Sequence, residues 1–257
     1  MRNAIHKTAT LAMILLLTLV AWADPWVVAH RGGTGLGPEN RLQTFAKALE
    51  LGVDALELDI HQSSDGGLVV IHDLTLDRTF GVSGRVDRMT LKQLKALGVP
   101  TLQQVVDLVG GRAALVVEIK QPKDGTHHQG IEKRLIALLK KNDILESTVV
   151  ISFYADSLKV LHKLEPALAT GYLFGGTALR PNELKRELGV SYAGPHYKLA
   201  TAEYIRECHQ AGLKVSTWTV NDTGAMRALV SSGVDCITTN HPDQLLKLLR
   251  PEPAQTR

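Results

Sequence analysis

The sequence predicts an α/β protein, a (β/α)8 TIM barrel with a small insertion after the second strand. Short apolar and β-branched runs alternate with helical patterns of about 10–15 residues, which is typical of parallel βα units. Eight such units suit a chain of 257 residues. The runs that predict the strands begin at Trp26, Ala55, Ala113, Thr148, Ala169, Tyr192, Lys214 and Cys236.

A doubly wound sheet is the alternative fold. Such a sheet often carries a G-x-G-x-x-G loop after its first strand, where it binds a dinucleotide. Here the first strand, residues 26–30, runs into a glycine-rich loop that begins Arg31-Gly32-Gly33-Thr34-Gly35 and lacks this spacing. The sequence therefore favours the barrel.

The first third of the chain departs from simple alternation. A helix is predicted over residues 42–51, with Gly52 as its C-cap. After the second strand, the turn Asp65-Gly66-Gly67 leads into a strand over residues 68–72. This strand either belongs to the insertion or forms a hairpin with the strand before it. We place the insertion at about residues 68–112.

From residue 113 onward the alternation is regular. Strands are predicted over residues 113–120, 148–153, 169–174, 192–194, 214–220 and 236–239. Helices are predicted over residues 129–141, 156–164, 181–187, 201–211, 223–231 and 242–249.

Residues 1–23 have the pattern of a secretory signal peptide. Arg2 and Lys7 make the start positive, and residues 11–21 form an apolar run too short to cross a bilayer comfortably. Ala21-Trp22-Ala23 matches the small-x-small cleavage pattern. We therefore expect cleavage after Ala23 and a periplasmic or secreted protein whose mature chain has no stable membrane insertion. An uncleaved membrane anchor is the alternative.

The mature chain is predicted to be one domain, residues 24–250, followed by a tail, residues 251–257. The net charge of +3 and the aromatic content of 5% argue against a nucleic-acid partner, because both basic charge and stacking surface are scarce. Cys208 and Cys236 are expected to be buried apolar residues, with a disulfide as the alternative.

The second strand alternates strictly between apolar and polar side chains, which point to opposite faces of the strand. An acidic face cannot pack against hydrocarbon, because an unpaired buried carboxylate is strongly disfavoured. This face is therefore either exposed to water, as in a half-exposed antiparallel strand, or holds a cation. The apolar set is Leu56, Leu58 and Ile60, and the polar set is Glu57, Asp59 and His61.

Polar residues also fall at the ends of the other predicted strands. In a barrel these ends meet at the carboxyl edge, where the active site lies. Three carboxylates pointing into one small space need a compensating cation. An all-oxygen ligand set favours one hard divalent cation, Mg²⁺ or Ca²⁺. The predicted metal ligands are Glu57, Asp59 and Glu118.

Two histidines and two basic residues complete this cluster. His30 and His72 would flank the metal and can transfer protons near neutral pH. Arg31 and Lys120 add positive charge suited to an anionic phosphate. This combination suits phosphodiester cleavage better than sugar hydrolysis, which needs two separated carboxylates and no metal.

Six motifs together resemble the glycerophosphodiester phosphodiesterase family, and the resemblance covers about residues 26–249. The combined HR…E-x-D…HD pattern is specific to this family, whereas each motif alone is weak evidence for it. The resemblance implies a (β/α)8 barrel that hydrolyses a small-molecule glycerophosphodiester to sn-glycerol 3-phosphate and an alcohol. The motifs are His30-Arg31-Gly32, Pro38-Glu39-Asn40, Glu57-Leu58-Asp59, His72-Asp73, Val117-Glu118-Ile119-Lys120 and Thr217-Trp218-Thr219-Val220-Asn221.

The resemblance also implies roles for individual residues. It implies acid/base catalysis by His30 and His72. An aromatic residue that lines the substrate pocket corresponds to Trp218. Further polar residues of the family's site correspond to Arg31, Glu39 and Lys120, which we expect to bind substrate. The implied metal ligands are Glu57, Asp59 and Glu118.

Two positions depart from the family pattern. Arg41 follows Pro38-Glu39-Asn40 where a threonine is usual, and Asn240-His241-Pro242 closes the last strand where an aspartate is often found. Neither departure removes a catalytic group, but both could alter the rim of the site and so the preferred alcohol.

Two other functions remain open. One is a lysophospholipase-D-like phosphodiesterase acting on single-chain lipids, which a wide apolar groove at the barrel mouth would favour. The other is a non-catalytic exported protein that binds glycerophosphoryl groups. The pair of histidines favours an enzyme, because a binding protein has no need of them.

Other polar and aromatic residues have simpler interpretations. We expect His61 to support the ligands or to be exposed, and His127 and His128 to be solvated. His196 ends the sixth strand and could reach the site. Two aromatic residues at strand ends are interpreted as either pocket wall or core, namely Phe153 and Tyr172.

Overall fold

The computed structural model describes residues 24–122 and 127–250. The predicted signal peptide, cleaved after Ala23, and the predicted tail over residues 251–257 lie outside the described residues. Within the described residues, no helix is both long enough and apolar enough to cross a membrane.

Eight parallel strands close into a barrel, which confirms the predicted (β/α)8 fold. The described strands are β1 (Trp26–Ala29), β2 (Ala55–Gln62), β3 (Leu68–Val70), β4 (Ala114–Ile119), β5 (Thr148–Ser152), β6 (Ala169–Phe174), β7 (Tyr192–Pro195), β8 (Lys214–Thr217) and β9 (Cys236–Thr239). The barrel closes at β1, which pairs with β2 on one side and β9 on the other. β3 stays outside the ring and pairs antiparallel with the end of β2, so it forms the hairpin.

Helices follow the strands, and local sequence sets several of their ends. The described helices are α1 (Leu42–Leu51), α2 (Asp77–Phe80), α3 (Leu91–Ala96), α4 (Leu102–Val109), α5 (Ile131–Lys141), α6 (Ala155–Leu164), α7 (Pro181–Leu188), α8 (Ala202–Gln210), α9 (Thr223–Ser231) and α10 (Pro242–Leu249). α1 ends at Gly52, whose φ of +75° favours glycine. α3 and α4 each begin with a capping box, formed by Thr90 with Gln93 and by Thr101 with Gln104.

The period of two along the strands separates two apolar layers. On β2, Leu56, Leu58 and Ile60 pack in the outer layer between barrel and helices. The inner face of the strands forms an apolar plug inside the barrel, made of Val28, Ala55, Val116, Ile151, Leu173, Tyr192 and Cys236. Glu57 and Glu118 are the next inward-facing residues after Ala55 and Val116 of the plug. They therefore lie at the carboxyl end of the plug.

The segment between β3 and α4 forms a small layer beside the barrel. It carries its own apolar cluster, which contains Val69, Ile71, Leu76, Val86, Leu94 and Val99. α4 itself packs against α1. Cys208 and Cys236 are both buried and free, in agreement with the expectation of two buried apolar residues.

Candidate active site

The three predicted metal ligands meet at the carboxyl end of the barrel. Asp59 on β2 is directly opposite Glu118 on β4 in the parallel register, and Glu57 precedes Asp59 by one inward position. All three side chains are buried, and one oxygen from each lies within 4.8 Å of the others. The strand pairing therefore brings Glu118 beside the two carboxylates that the sequence placed on one face of β2.

Their mutual repulsion and burial perturb these groups strongly. Burial, reinforced by the charges of Asp59 and Glu118, raises the pKa of Glu57 well above its usual value. Burial also raises the pKa of Glu118 to about 7. Burial opposes ionisation of Asp59 too, but Lys120 and Arg31 outweigh it and lower the pKa of that carboxyl to about 2. The cluster holds more negative charge than its surroundings readily stabilise.

This cluster fits a divalent cation. Its donors are carboxylate oxygens, the ligands that hard cations prefer. Among the described residues, Asp59 Oδ1 is buried without a hydrogen bond, although Lys120 Nζ lies 3.1 Å away. Lys120 thus offsets the charge of this oxygen without making a directed hydrogen bond to it, and the lone pairs of the oxygen remain available to a coordinated cation.

Basic and amide groups hold the carboxylates in place. Lys120 Nζ lies 2.5 Å from Glu118 Oε1. Arg31 has a left-handed φ of +53°, and its backbone N–H donates to Glu57 Oε2 at 2.6 Å. Asn40, with a φ of +54°, donates from Nδ2 to Asp59 Oδ2 at 2.8 Å. Asparagine tolerates this backbone region better than most residues do.

His30 lies directly after β1 and contacts Asn240, which follows the last strand of the barrel. Its Nδ1 is 2.6 Å from Asn240 Oδ1, an acceptor, so Nδ1 carries the hydrogen when the amide has this orientation. Gly35 permits the approach, because its N–H donates to Asn240 O at 2.8 Å and a Cβ there would also lie 2.8 Å from that oxygen. Burial, assisted by the charge of Arg31, lowers the pKa of His30 to about 4.

His72 follows β3 and is held by its neighbour in the chain. Its Nδ1 lies 2.7 Å from Asp73 Oδ1. Burial is the main cause of its lowered pKa. Glu39, predicted to bind substrate, contacts Arg31 Nη1 at 3.2 Å and the guanidinium of Arg78 at 2.7 Å. Glu39 therefore supports Arg31 in this structure.

Two adjoining cavities open above the carboxylates. The smaller, of about 230 Å³, is lined by His30, Arg31, Glu57, His72 and Trp218 among others. The larger, of about 680 Å³, shares His72, Glu118 and Lys120 with it and extends past Leu74, Arg85, Gln121, Phe153 and Tyr154. Trp218 donates from Nε1 to Gly194 O at 2.8 Å, which holds its ring in the wall of the smaller cavity.

The aromatic residues divide between wall and core. Phe153 lines both cavities and meets Trp218 edge to face, with ring centroids 5.1 Å apart. Tyr172 packs against the outer layer instead. His196 contacts the ring of Trp218, a wall residue of the smaller cavity, at a centroid distance of 5.4 Å.

The prediction for His128 is wrong. We expected a solvated side chain, but His128 is buried, and its Nε2 lies 2.8 Å from Nδ1 of the buried His61. His61 Nε2 in turn lies 3.1 Å from the backbone carbonyl of His72. His127 is exposed, as predicted. The sequence motifs did not predict the side-chain contacts of Asn40, Asn240 and His128.

Comparison with known proteins agrees with this site. Residues 30–244 match the model of the glycerophosphoryl diester phosphodiesterase family. A glycerophosphodiester phosphodiesterase from Caldanaerobacter subterraneus subsp. tengcongensis is 34% identical over 238 residues, covering 87% of this chain and 97% of the relative.

Two solved structures have the same fold. A glycerophosphodiester phosphodiesterase from Parabacteroides distasonis aligns with a TM-score of 0.75 and 28% identity, over 88% of this chain and 97% of that one. A phosphodiesterase from Oleispira antarctica, solved in complex with the product sn-glycerol-3-phosphate, aligns with a TM-score of 0.77 and 25% identity, over 88% and 97% of the two chains. The chain therefore belongs to the glycerophosphoryl diester phosphodiesterase family of enzymes.

Proposed function

We propose that the protein hydrolyses glycerophosphodiesters to sn-glycerol 3-phosphate and an alcohol, using one divalent cation and two histidines. One observation carries the proposal: His30 and His72 line the same cavity as Glu57 and Glu118. The complex of the Oleispira antarctica phosphodiesterase with sn-glycerol-3-phosphate supports this choice of product.

Glu57, Asp59 and Glu118 would hold the cation, Mg²⁺ or Ca²⁺. When bound, such an ion polarises phosphoryl oxygens and stabilises the charge that develops on them. Lys120 and the guanidinium of Arg31 would bind the non-bridging phosphate oxygens, since both are cationic at neutral pH and adjoin the carboxylates.

The two imidazoles would move the protons. One accepts the proton of the attacking hydroxyl group as its oxygen forms a bond to phosphorus. The P–O bond to the alcohol breaks. The other imidazole must enter this step as the imidazolium, protonated on Nε2 as well as Nδ1, and it donates the Nε2 proton to the departing oxygen. Both histidines have Nδ1 held by a neighbouring oxygen, which leaves Nε2 to face the reacting groups. Each transfer typically contributes about 10²–10⁴-fold to the rate.

Steady-state kinetics on a panel of glycerophosphodiesters tests this proposal. Chelation should abolish activity, and Mg²⁺ or Ca²⁺ should restore it. His30→Ala and His72→Ala should each lower kcat by about 10²–10⁴-fold while the bound metal, measured by elemental analysis, is unchanged. His127→Ala is the matched control, because this histidine is exposed and outside both cavities.

A diester with a good leaving group refines the test. A p-nitrophenyl ester needs little protonation of its departing oxygen, so it should rescue the variant of the acid far more than that of the base. Near-wild-type turnover of a natural glycerophosphodiester by both alanine variants would contradict the two-histidine mechanism. Full activity in excess chelator, with no bound metal, would contradict the role of the cation.

A lysophospholipase-D-like activity is the second candidate. The larger cavity favours it, because Leu74, Phe153 and Tyr154 give its wall an apolar surface suited to an acyl chain. Comparing kcat/KM for lysophosphatidylcholine and glycerophosphocholine separates the two functions. A higher value for the lipid, lost in Phe153→Ser, would establish the second.

A further inference from the structure

Arg78 connects two loops of the site from a position in the insertion. It lies in α2, and its guanidinium uses three nitrogen atoms. Nη1 and Nη2 donate to Glu39 Oε2 and Oε1 at 2.8 and 2.7 Å, while Nε donates to Asp73 Oδ2 at 2.5 Å. A planar guanidinium that contacts two carboxylates in this way holds both in a defined orientation.

Each of these carboxylates contacts a residue of the proposed site. Glu39 accepts hydrogen bonds from Arg31 Nη1 at 3.2 and 3.3 Å. Asp73 Oδ1 lies 2.7 Å from His72 Nδ1. A continuous chain therefore runs from Arg31 through Glu39, Arg78 and Asp73 to His72.

The chain determines which nitrogen of His72 carries the hydrogen. The hydrogen bond from Arg78 is the main cause of the lowered pKa of Asp73, about 2, so Asp73 is ionised and only accepts. His72 Nδ1 must then donate, and Nε2 of the neutral ring presents its lone pair to the cavity. Without Arg78, Asp73 could turn, and the ring could take the other tautomer.

Docking of the insertion does not depend on Arg78 alone. Arg41 donates from Nη2 to Thr79 O at 2.7 Å and from Nη1 to Gly98 O at 3.2 Å. Its guanidinium also lies 3.6 Å above the ring centroid of Phe80. These contacts hold α2 against the barrel without involving Glu39 or Asp73. Mutations can therefore separate the docking of α2 from the orientation of these two carboxylates.

We propose that Arg78 is a positioning residue for the reaction, which orients His72 through Asp73 and Arg31 through Glu39. This inference rests on the proposed function, in which His72 transfers a proton and Arg31 binds phosphate. It gives the insertion a role in assembling the site.

Kinetics of the metal-loaded mature chain test the proposal. Arg78→Ala should lower kcat by about 10–100-fold, the range typical when the outer partner of a site residue is lost. Arg78→Lys should recover little, because an ammonium group cannot contact both carboxylates in fixed geometry. Half of the Arg78 side chain is exposed, so millimolar guanidinium should restore part of the activity of Arg78→Ala. Arg41→Gln is the matched control, because the Arg41 guanidinium contacts Thr79, Gly98 and Phe80 and lines neither of the two cavities above the carboxylates. It should lower the melting temperature and leave kcat close to wild type.

A double-mutant cycle with Asp73→Ala tests the connection to His72. The double variant should lose little more kcat than either single variant, since both changes break the same chain. Additive losses would overturn the proposal. So would wild-type kcat in Arg78→Ala, or an equal loss in Arg41→Gln.

Nitrogen-15 NMR of the histidine side chains distinguishes failure of this proposal from failure of the proposed function. His72 should be protonated at Nδ1 in the wild type and should show the Nε2 tautomer or a mixture in Arg78→Ala. An unchanged tautomer would overturn the positioning role, even if no glycerophosphodiester were hydrolysed. A wild type inactive on every diester, with the tautomer shift present, would overturn only the function.

Discussion

His61 Nδ1 and His128 Nε2 lie 2.8 Å apart in a buried pair. His61 Nε2 must donate to the carbonyl of His72, so its Nδ1 accepts from His128. Burial, together with the nearby His128, lowers the pKa of His61 to about 3, and the ring is neutral at physiological pH. The pair ties the loop before α5 to the strand end that carries His72.

We therefore predict that His128→Ala destabilises the protein. The change leaves a buried acceptor on His61 without a partner, which should lower the free energy of unfolding by about 1–3 kcal/mol. Urea unfolding measures this difference. The neighbouring His127→Ala should change it by less than about 0.5 kcal/mol, because that side chain is exposed. Equal effects of the two variants would contradict the role of the buried pair.

Asn240→Asp should raise the pKa of His30. The present value of about 4 reflects burial and the charge of Arg31, and a carboxylate against Nδ1–H would stabilise the imidazolium form. NMR titration of the imidazole should show a higher pKa, and the limb of the kcat/KM profile that depends on His30 should move to higher pH. An unchanged His30 titration would mean that Asn240 does not control this ring.

Metal binding should depend on pH through Glu118. Because its pKa is raised to about 7, binding of a cation below this pH must displace a proton. The affinity for Mg²⁺ should therefore fall by up to about tenfold per pH unit below pH 7. Calorimetric titration in buffers of different ionisation enthalpy measures both affinity and proton release. Glu118→Gln should bind more weakly and release fewer protons, and a constant wild-type affinity over this range would contradict the prediction.

The same group affects the stability of the metal-free protein. Its folded pKa of about 7 lies above the ordinary value of 4.5, so the folded state holds this proton more tightly than the unfolded state does. The resulting stabilisation is fully present below the ordinary pKa and is lost as the pH rises through about 7. Saturating metal should remove this loss, which thermal unfolding with and without chelator can measure.

We also predict that the protein is exported and that its mature form begins at Asp24. The positive start, the apolar run and Ala21-Trp22-Ala23 motivate this expectation. Amino-terminal sequencing of protein recovered from the periplasm or medium should begin Asp24-Pro25-Trp26. A cytoplasmic protein that still begins at Met1 would contradict it.

Strand periodicity and strand ends predicted much of the site. The alternation around Glu57 and Asp59 identified one acidic face of β2, because the period of a strand is a local property of the chain. Pairing of β2 with β4 then brought Glu118 beside them, which follows once the strand order is known. The barrel mouth could therefore be predicted from sequence in outline.

Contacts made by loops could not be predicted in the same way. Asn240 lies 210 positions from His30, and their contact requires β9 to close against β1. Closure of the barrel gives a signal for this pair, since the last strand must end beside the first. The burial of His128 has no comparable signal, because a polar loop with two adjacent histidines does not indicate which ring turns inward.

Within the described part of the chain, the apolar plug fills the barrel beneath the carboxylates, so the site opens toward the barrel mouth. Whatever reaches the carboxylates must arrive through the barrel mouth, and both products of the proposed reaction must depart by the same route. Glycerol phosphate, the product that keeps the phosphate, would be held by Arg31 and Lys120, the residues proposed to bind that group. Retained glycerol phosphate would then compete with the next substrate molecule, and turnover would slow as this product accumulates.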